Sequence, residues 1–155
     1  MTNLLSVDME GDIKRVLDAN RFAVLATQKG GQPHTSLVAY TRVDGIRRLL
    51  FATYRATRKF ENLLASSRVA LFIGDRSAKS RADRVRGLLT AHGIASEATP
   101  DKWAALSHEH KKRHPDLGII LSSSEAALVS IDVTAFQLVN DIEDVRWFDL
   151  TDETT

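Results

Sequence analysis

Thr53, Thr57, Arg58 and Lys59 lie within one short stretch, Phe51-Ala-Thr-Tyr-Arg-Ala-Thr-Arg-Lys-Phe-Glu-Asn62, and their types suit the binding of an anion. The apolar run over residues 49–52 reads as the end of a strand. Phe60, Leu63 and Leu64 then follow at helical spacing. Thr57 has the chemistry of an N-cap. Arg58 and Lys59 fall in the first helical turn, where free N–H groups and the macrodipole already present positive charge. Two bases there cost about a few tenths of a kcal/mol each. A bound phosphate reverses that sign, because it receives the backbone N–H groups, a hydroxyl and both cations. The alternative is a solvated basic turn with no ligand.

Other clusters carry weaker signals. In His108-Glu-His-Lys-Lys-Arg-His114, His110 and His114 are four residues apart and share a helical face, whereas His108 does not. There is no H-E-x-x-H pattern and there are no cysteines, so a solvated helix face is expected rather than a metal site. Arg76, Lys79, Arg81, Arg84 and Arg86 form a basic cluster. It reads as a solvated loop or as a contact for the anionic part of a cofactor or substrate, with Arg76 the candidate. Nucleic acid is disfavoured because no aromatic residues interleave the charges. His34 and His92 fall on predicted strands and are expected to be packed or hydrogen-bonded. No Ser-His-Asp order or carboxylate pair is visible.

The elements that must position these residues follow from patterning. Residues 9–19 form a predicted helix, and residues 21–27 a short apolar strand. Lys29-Gly30-Gly31-Gln32 is a hairpin turn, a second strand spans 34–43, Asp44-Gly45 turns again, and a third strand spans 47–53. These connections imply an antiparallel meander. After the helix at 57–66 come a strand at 68–74, a polar loop at 75–83, and a strand at 86–96. Gly93 marks a bulge or a close backbone approach in the last of these. Thr99-Pro100 starts a helix that ends before His114-Pro115. Residues 117–121 are ambiguous. Strict alternation over 127–134 predicts a half-buried strand continuing through 136–139. Residues 141–149 read as an acidic tail with an exposed Trp147-Phe148 pair, and 151–155 as disordered. The fold class is mainly β with a few flanking helices, in an antiparallel barrel or sandwich over a single domain at 1–150.

Composition agrees with this. The 155 residues include 43% hydrophobic and 26% charged residues, with net charge +1, which gives no global field toward nucleic acid or membrane. The absence of cysteine removes disulfides and thiol chemistry. Without a signal-like N-terminus or a long apolar run, a cytoplasmic setting is expected.

Four pieces then resemble, in order, the FMN-binding split-barrel family of pyridoxamine 5′-phosphate oxidase-like proteins. Phe22-Ala-Val-Leu-Ala-Thr27 is similar to its first strand, and Gly31-Gln-Pro-His-Thr-Ser-Leu-Val-Ala-Tyr40 to its second. Thr53-x-x-x-Thr57-Arg58-Lys59-x-x-Asn62-Leu63 resembles its phosphate-binding segment, and the strand ending at Ile73-Gly-Asp75 resembles the one that follows. The resemblance implies a Greek-key split β-barrel and a homodimer with FMN at the subunit interface. Arg58 and Lys59 would hold the FMN phosphate, helped by Thr53 and Thr57. Ser36, Leu37 and Val38 would run beside the isoalloxazine ring. Trp147 would stack on the flavin from the partner subunit or close the dimer seam.

The pyridoxine-processing oxidases carry an arginine where Ser36 aligns and a lysine where Thr41 aligns. They also have a C-terminal Arg and His segment that is not found here, so vitamin B6 oxidation is not implied. The expected activity is an FMN-dependent oxidoreductase acting on a small molecule, with NAD(P)H as a reductant of the flavin. The alternatives are a haem- or deazaflavin-binding protein of the same fold, or a flavin-binding module without turnover.

Overall fold

The structure, a computed structural model, describes residues 4–74 and 87–150. The loop at 75–83 with the candidate Arg76, the rest of the basic cluster, and the tail at 151–155 lie outside the described residues. Helix α1 (Leu4–Ala19) leads into strands β1 (Phe22–Lys29), β2 (Gln32–Ala39), β3 (Thr41–Val43) and β4 (Arg48–Tyr54). Helix α2 (Arg58–Ala65), β5 (Arg68–Ile73), β6 (Leu88–Glu97) and α3 (Pro100–Arg113) follow. A 3-10 helix (Pro115–Ser122), β7 (Ala126–Asp141) and β8 (Asp144–Asp149) complete the described chain. No helix among the described residues is long and apolar enough to cross a membrane.

All pairings are antiparallel, in the order β2-β1-β5-β6-β7-β4-β3, with β8 on β7. The two expected hairpins form. Gly30 and Gly31 both take positive φ, which lets β1 turn straight into β2 with Lys29 opposite Gln32. Asp44 and Gly45 do the same between β3 and β4.

The expected continuous second strand and three-strand meander do not form. The chain breaks at Tyr40, so β2 and β3 end on opposite edges of the sheet. Tyr40 is the pivot. Its buried hydroxyl donates to Leu17 O at 2.8 Å, and its N–H donates to Arg21 O at 3.2 Å. His114 Nε2 donates to Tyr40 O at 2.7 Å, while Arg113 donates to Tyr40 O and to Leu17 O at the end of α1. These bonds hold the corner and satisfy carbonyls that a helix end leaves unpaired. The sheet therefore curls into a barrel whose last gap, where β2 lies against β4, has no ladder.

The core inside the curl includes Leu25, Phe51, Leu71, Leu89, Ile131 and Phe136. The 16-residue β7 is its spine, pairing with β4, β6 and β8. The expected half-buried strand is buried on both faces over its first six residues. The reason is a second small core, in which Leu50, Leu121 and Leu128 meet Trp103, Leu106 and Ile120 from α3 and the 3-10 helix. The residues read as an acidic tail instead form β8, whose Trp147 lies opposite Gln137.

The bulge expected at Gly93 is present as a register shift between His92 and Gly93. A Cβ there would meet Asp132 O and Ile131 Cγ2, both at 2.6 Å. Gly93→Ala is expected to destabilise the fold by about 1–3 kcal/mol, because backbone stands in the way. A denaturant titration at unchanged slope checks this.

Candidate functional site

The turn from β4 into α2 forms as its residue types require. Thr57 caps the helix, its Oγ1 accepting from Phe60 N at 3.3 Å and donating to Tyr54 O at 2.9 Å. Thr53 Oγ1 lies 3.1 Å from Thr57 Oγ1 and 3.3 Å from Tyr54 O. Both hydroxyls therefore build the turn and set the direction of α2. Buried Asn62 donates to Thr27 Oγ1 at 3.1 Å, tying the same helix to β1.

Arg58 and Lys59 leave this turn toward two clefts. Arg58 lines one of about 460 Å³ with Lys29, Gln32, His34 and Glu61. Glu61 pairs with Lys29, and that hydrogen bond, with Arg58 a smaller influence, holds its carboxyl below the usual range. Lys59 lines a cleft of about 310 Å³ with Phe22, Leu37, Val38, Ala52 and Ile119. Neither base forms a salt bridge or side-chain hydrogen bond among the described residues. Both belong to the first turn of α2, whose leading amides find no acceptor within the helix.

The other expected residues divide. Leu37 and Val38 share the cleft of Lys59. Ser36 lines neither cleft, and its Oγ is buried without a hydrogen-bond partner. Trp147 lines neither and stacks on His92, with centroids 5.5 Å apart and planes 22° from parallel. Register nevertheless places Trp147 and Leu37 in one row across the sheet, through Val24, Phe72, Thr90 and Gln137. Leu37 is 68% exposed, Val24 39% and Trp147 60%, so this outer face is apolar and open.

The histidine cluster is a correction. His108 is exposed, but His110 and His114 are only 3% and 0% exposed, and their ring centroids are 4.9 Å apart. The expected solvated face is packed against β3. His110 Nδ1 lies 2.9 Å from Thr41 Oγ1, and His110 lines the cleft of Lys59. Burial, with His114 as the smaller cause, pushes His110 down to about 4. His114 is lowered chiefly by burial. At neutral pH both rings are uncharged. A signal for this was present in the sequence. Trp103, Leu106, Ser107, His110 and His114 recur at three and four residues, so the histidines extend the inward stripe of α3.

The arrangement can hold an anion at the start of α2 and a flat, largely apolar group against Leu37 and Val38. Its polar points in the cleft are Lys59, His110 and Asp116, and Asp116 is paired with Arg21 at 2.7 Å. The two unpaired bases and the apolar cleft beside Lys59 fit a phosphorylated planar cofactor such as FMN.

A search of curated proteins returns no match. Among solved structures, a heme binding protein from Mycobacterium smegmatis superposes with a TM-score of 0.80 at 15% identity, over 96% of this chain and 60% of that one. The chain thus spans 60% of the length of that protein. General Stress Protein 26 from Bacillus anthracis gives 0.71 at 16% identity, over 92% and 98% of the two chains. The heme storage protein HutZ from Vibrio cholerae gives 0.71 at 19%, over 84% and 94%. These likenesses establish the split-barrel fold. The sequence profile of pyridoxamine 5′-phosphate oxidase matches residues 9–139, and the chain belongs to that family.

Proposed function

We propose that this protein binds FMN and acts as an FMN-dependent oxidoreductase on a small molecule, as a homodimer. The observation that carries the reading is the pair Arg58 and Lys59, unpaired in the first turn of α2 beside an apolar cleft. Their charge is unfavourable at that end of a helix unless an anion is present. The FMN phosphate supplies the anion, and the flavin supplies the hydride and electron transfer.

The chain's own part is binding, orientation and exclusion of water. Arg58 and Lys59 hold the phosphate, each from its own side. Leu37 and Val38 give the ring an apolar bed, and Ser36, whose buried Oγ lies outside the cleft, supports that bed from the same strand. The absence of a visible acid–base set in the sequence suits a reaction whose difficult step belongs to the cofactor. A second copy of the chain completes the site. Its support is the exposed row from Leu37 to Trp147 and a cleft of about 310 Å³, which is small and open for a ligand of this size. In that assembly Trp147 lies in the seam.

The absorption spectrum of protein purified without added cofactor tests this reading. The expected result is a flavin spectrum that fades on addition of NAD(P)H or dithionite. A colourless protein that fails to take up FMN refutes it. Uptake of haem with a Soret band and no FMN binding refutes it in favour of the haem reading, the chemistry named for the M. smegmatis and V. cholerae proteins.

A further inference from the structure

His110 is the polar group in the cleft of Lys59 that the site as described leaves without a task. Its Nδ1 is engaged by Thr41 Oγ1 at 2.9 Å. Thr41 is buried, and Nδ1 is the acceptor the described residues offer its hydroxyl. A buried hydroxyl proton must have an acceptor, so Thr41 donates to Nδ1. The proton of the neutral ring is then on Nε2. His114 does not supply the partner for that proton: its Nε2 donates to Tyr40 O, and its Nδ1 makes no hydrogen bond. The remaining polar liners of the cleft are a base, Lys59, and Asp116, which is held by Arg21.

We propose that the Nε2–H of His110 is the hydrogen-bond donor that receives the acceptor edge of the planar ligand in this cleft, a carbonyl oxygen or ring nitrogen of the isoalloxazine. This rests on the flavin reading above. It gives the cleft a chemical specification: an anionic end toward α2, an apolar plane against Leu37 and Val38, and an acceptor edge toward α3. Thr41 is the positioning residue, because it fixes the tautomer. The ring stays uncharged at neutral pH because burial lowers its proton affinity. It therefore donates to a neutral acceptor without burying a charge.

The test is a titration of the protein, labelled with 15N in its histidines, with FMN. On binding, the His110 Nε2 signal is expected to shift while its Nδ1 remains the unprotonated nitrogen. His110→Leu is expected to weaken FMN binding about 3- to 10-fold, the span of one hydrogen bond, and to alter the visible band of the bound flavin. His110→Gln, which keeps a donor, is expected to restore most of both. Thr41→Val keeps the ring, releases its tautomer and is expected to fall between them. If the wild-type protein binds FMN with the His110 signals unmoved and His110→Leu binds as tightly, the proposal fails and the flavin reading stands. If the wild type does not bind FMN, the flavin reading fails and takes this proposal with it. Should His110→Leu not fold, the wild-type titration decides alone.

Discussion

Arg58→Ala combined with Lys59→Ala is expected to abolish FMN retention while leaving the fold intact. A hydrogen bond from a charged group contributes about 1.5–3 kcal/mol. Loss of both contributions lowers affinity by about 10²- to 10⁴-fold. The fold does not depend on either side chain, because neither makes a salt bridge or side-chain hydrogen bond among the described residues. The turn keeps its Thr57 cap, and α2 keeps the Asn62 bond to Thr27. Removing two bases from a helix N-terminus is itself slightly favourable without a ligand. The melting temperature of the cofactor-free double variant is therefore expected to equal or exceed that of the cofactor-free wild type. The single variants separate the two clefts: Lys59→Ala alters the apolar cleft of Leu37 and Val38, whereas Arg58→Ala leaves it unchanged. Calorimetric titration with FMN, alongside flavin absorbance after gel filtration, reads both effects. Flavin retained by the double variant refutes the phosphate assignment.

The parts of this chain that were legible in advance are those whose cause is local. Glycine pairs and Asp44-Gly45 set hairpins by backbone conformation alone, and Thr57 caps α2 through atoms three residues away. Gly93 announces a close approach because nothing larger fits. The misreadings have distant causes. The break at Tyr40 depends on Leu17, Arg113 and His114, which lie more than twenty or seventy positions away along the chain. Periodicity over residues 34–43 could not report them. The alternation of β7 predicted one wet face, but Trp103 and Leu106 of α3, a helix expected without its partner, and Ile120 and Leu121, from the stretch read as ambiguous, dry it. At the site, Lys59, Leu37 and Val38 line one cleft, whereas Ser36 and Trp147 line neither. His110 was hidden by its neighbours. Three consecutive bases, Lys111, Lys112 and Arg113, dominate the composition of that turn, although the spacing of the inward stripe already included the imidazole.

The same buried histidines make the folded protein sensitive to acid. His110 titrates near 6.5 when the chain is unfolded and at about 4 when folded. Between those values the unfolded chain holds a proton that the native ring refuses. Stability therefore rises with pH across this window and is lost as pH falls through it. Above about pH 6.5 the contribution is fully present. The shift corresponds to about 3 kcal/mol lost by pH 4, at about 1.4 kcal/mol per unit. His114 adds a loss of the same sign, because burial lowers it too and a proton on its unpartnered Nδ1 would place a charge in the interior. The carboxyl of Asp18, held low by its bond to Arg42, begins to contribute only in more acid solution. Thermal melts from pH 7 to pH 4.5 are expected to fall by on the order of 10 °C. His110→Gln is expected to flatten the slope of that fall whatever it does to the absolute melting temperature, since a side chain that cannot titrate cannot be linked to pH. An unchanged slope in His110→Gln and His114→Gln would show that the acid sensitivity arises elsewhere. A wild-type melting temperature that stays flat from pH 7 to pH 4.5 would show that the two rings are open to water and not packed beneath β3.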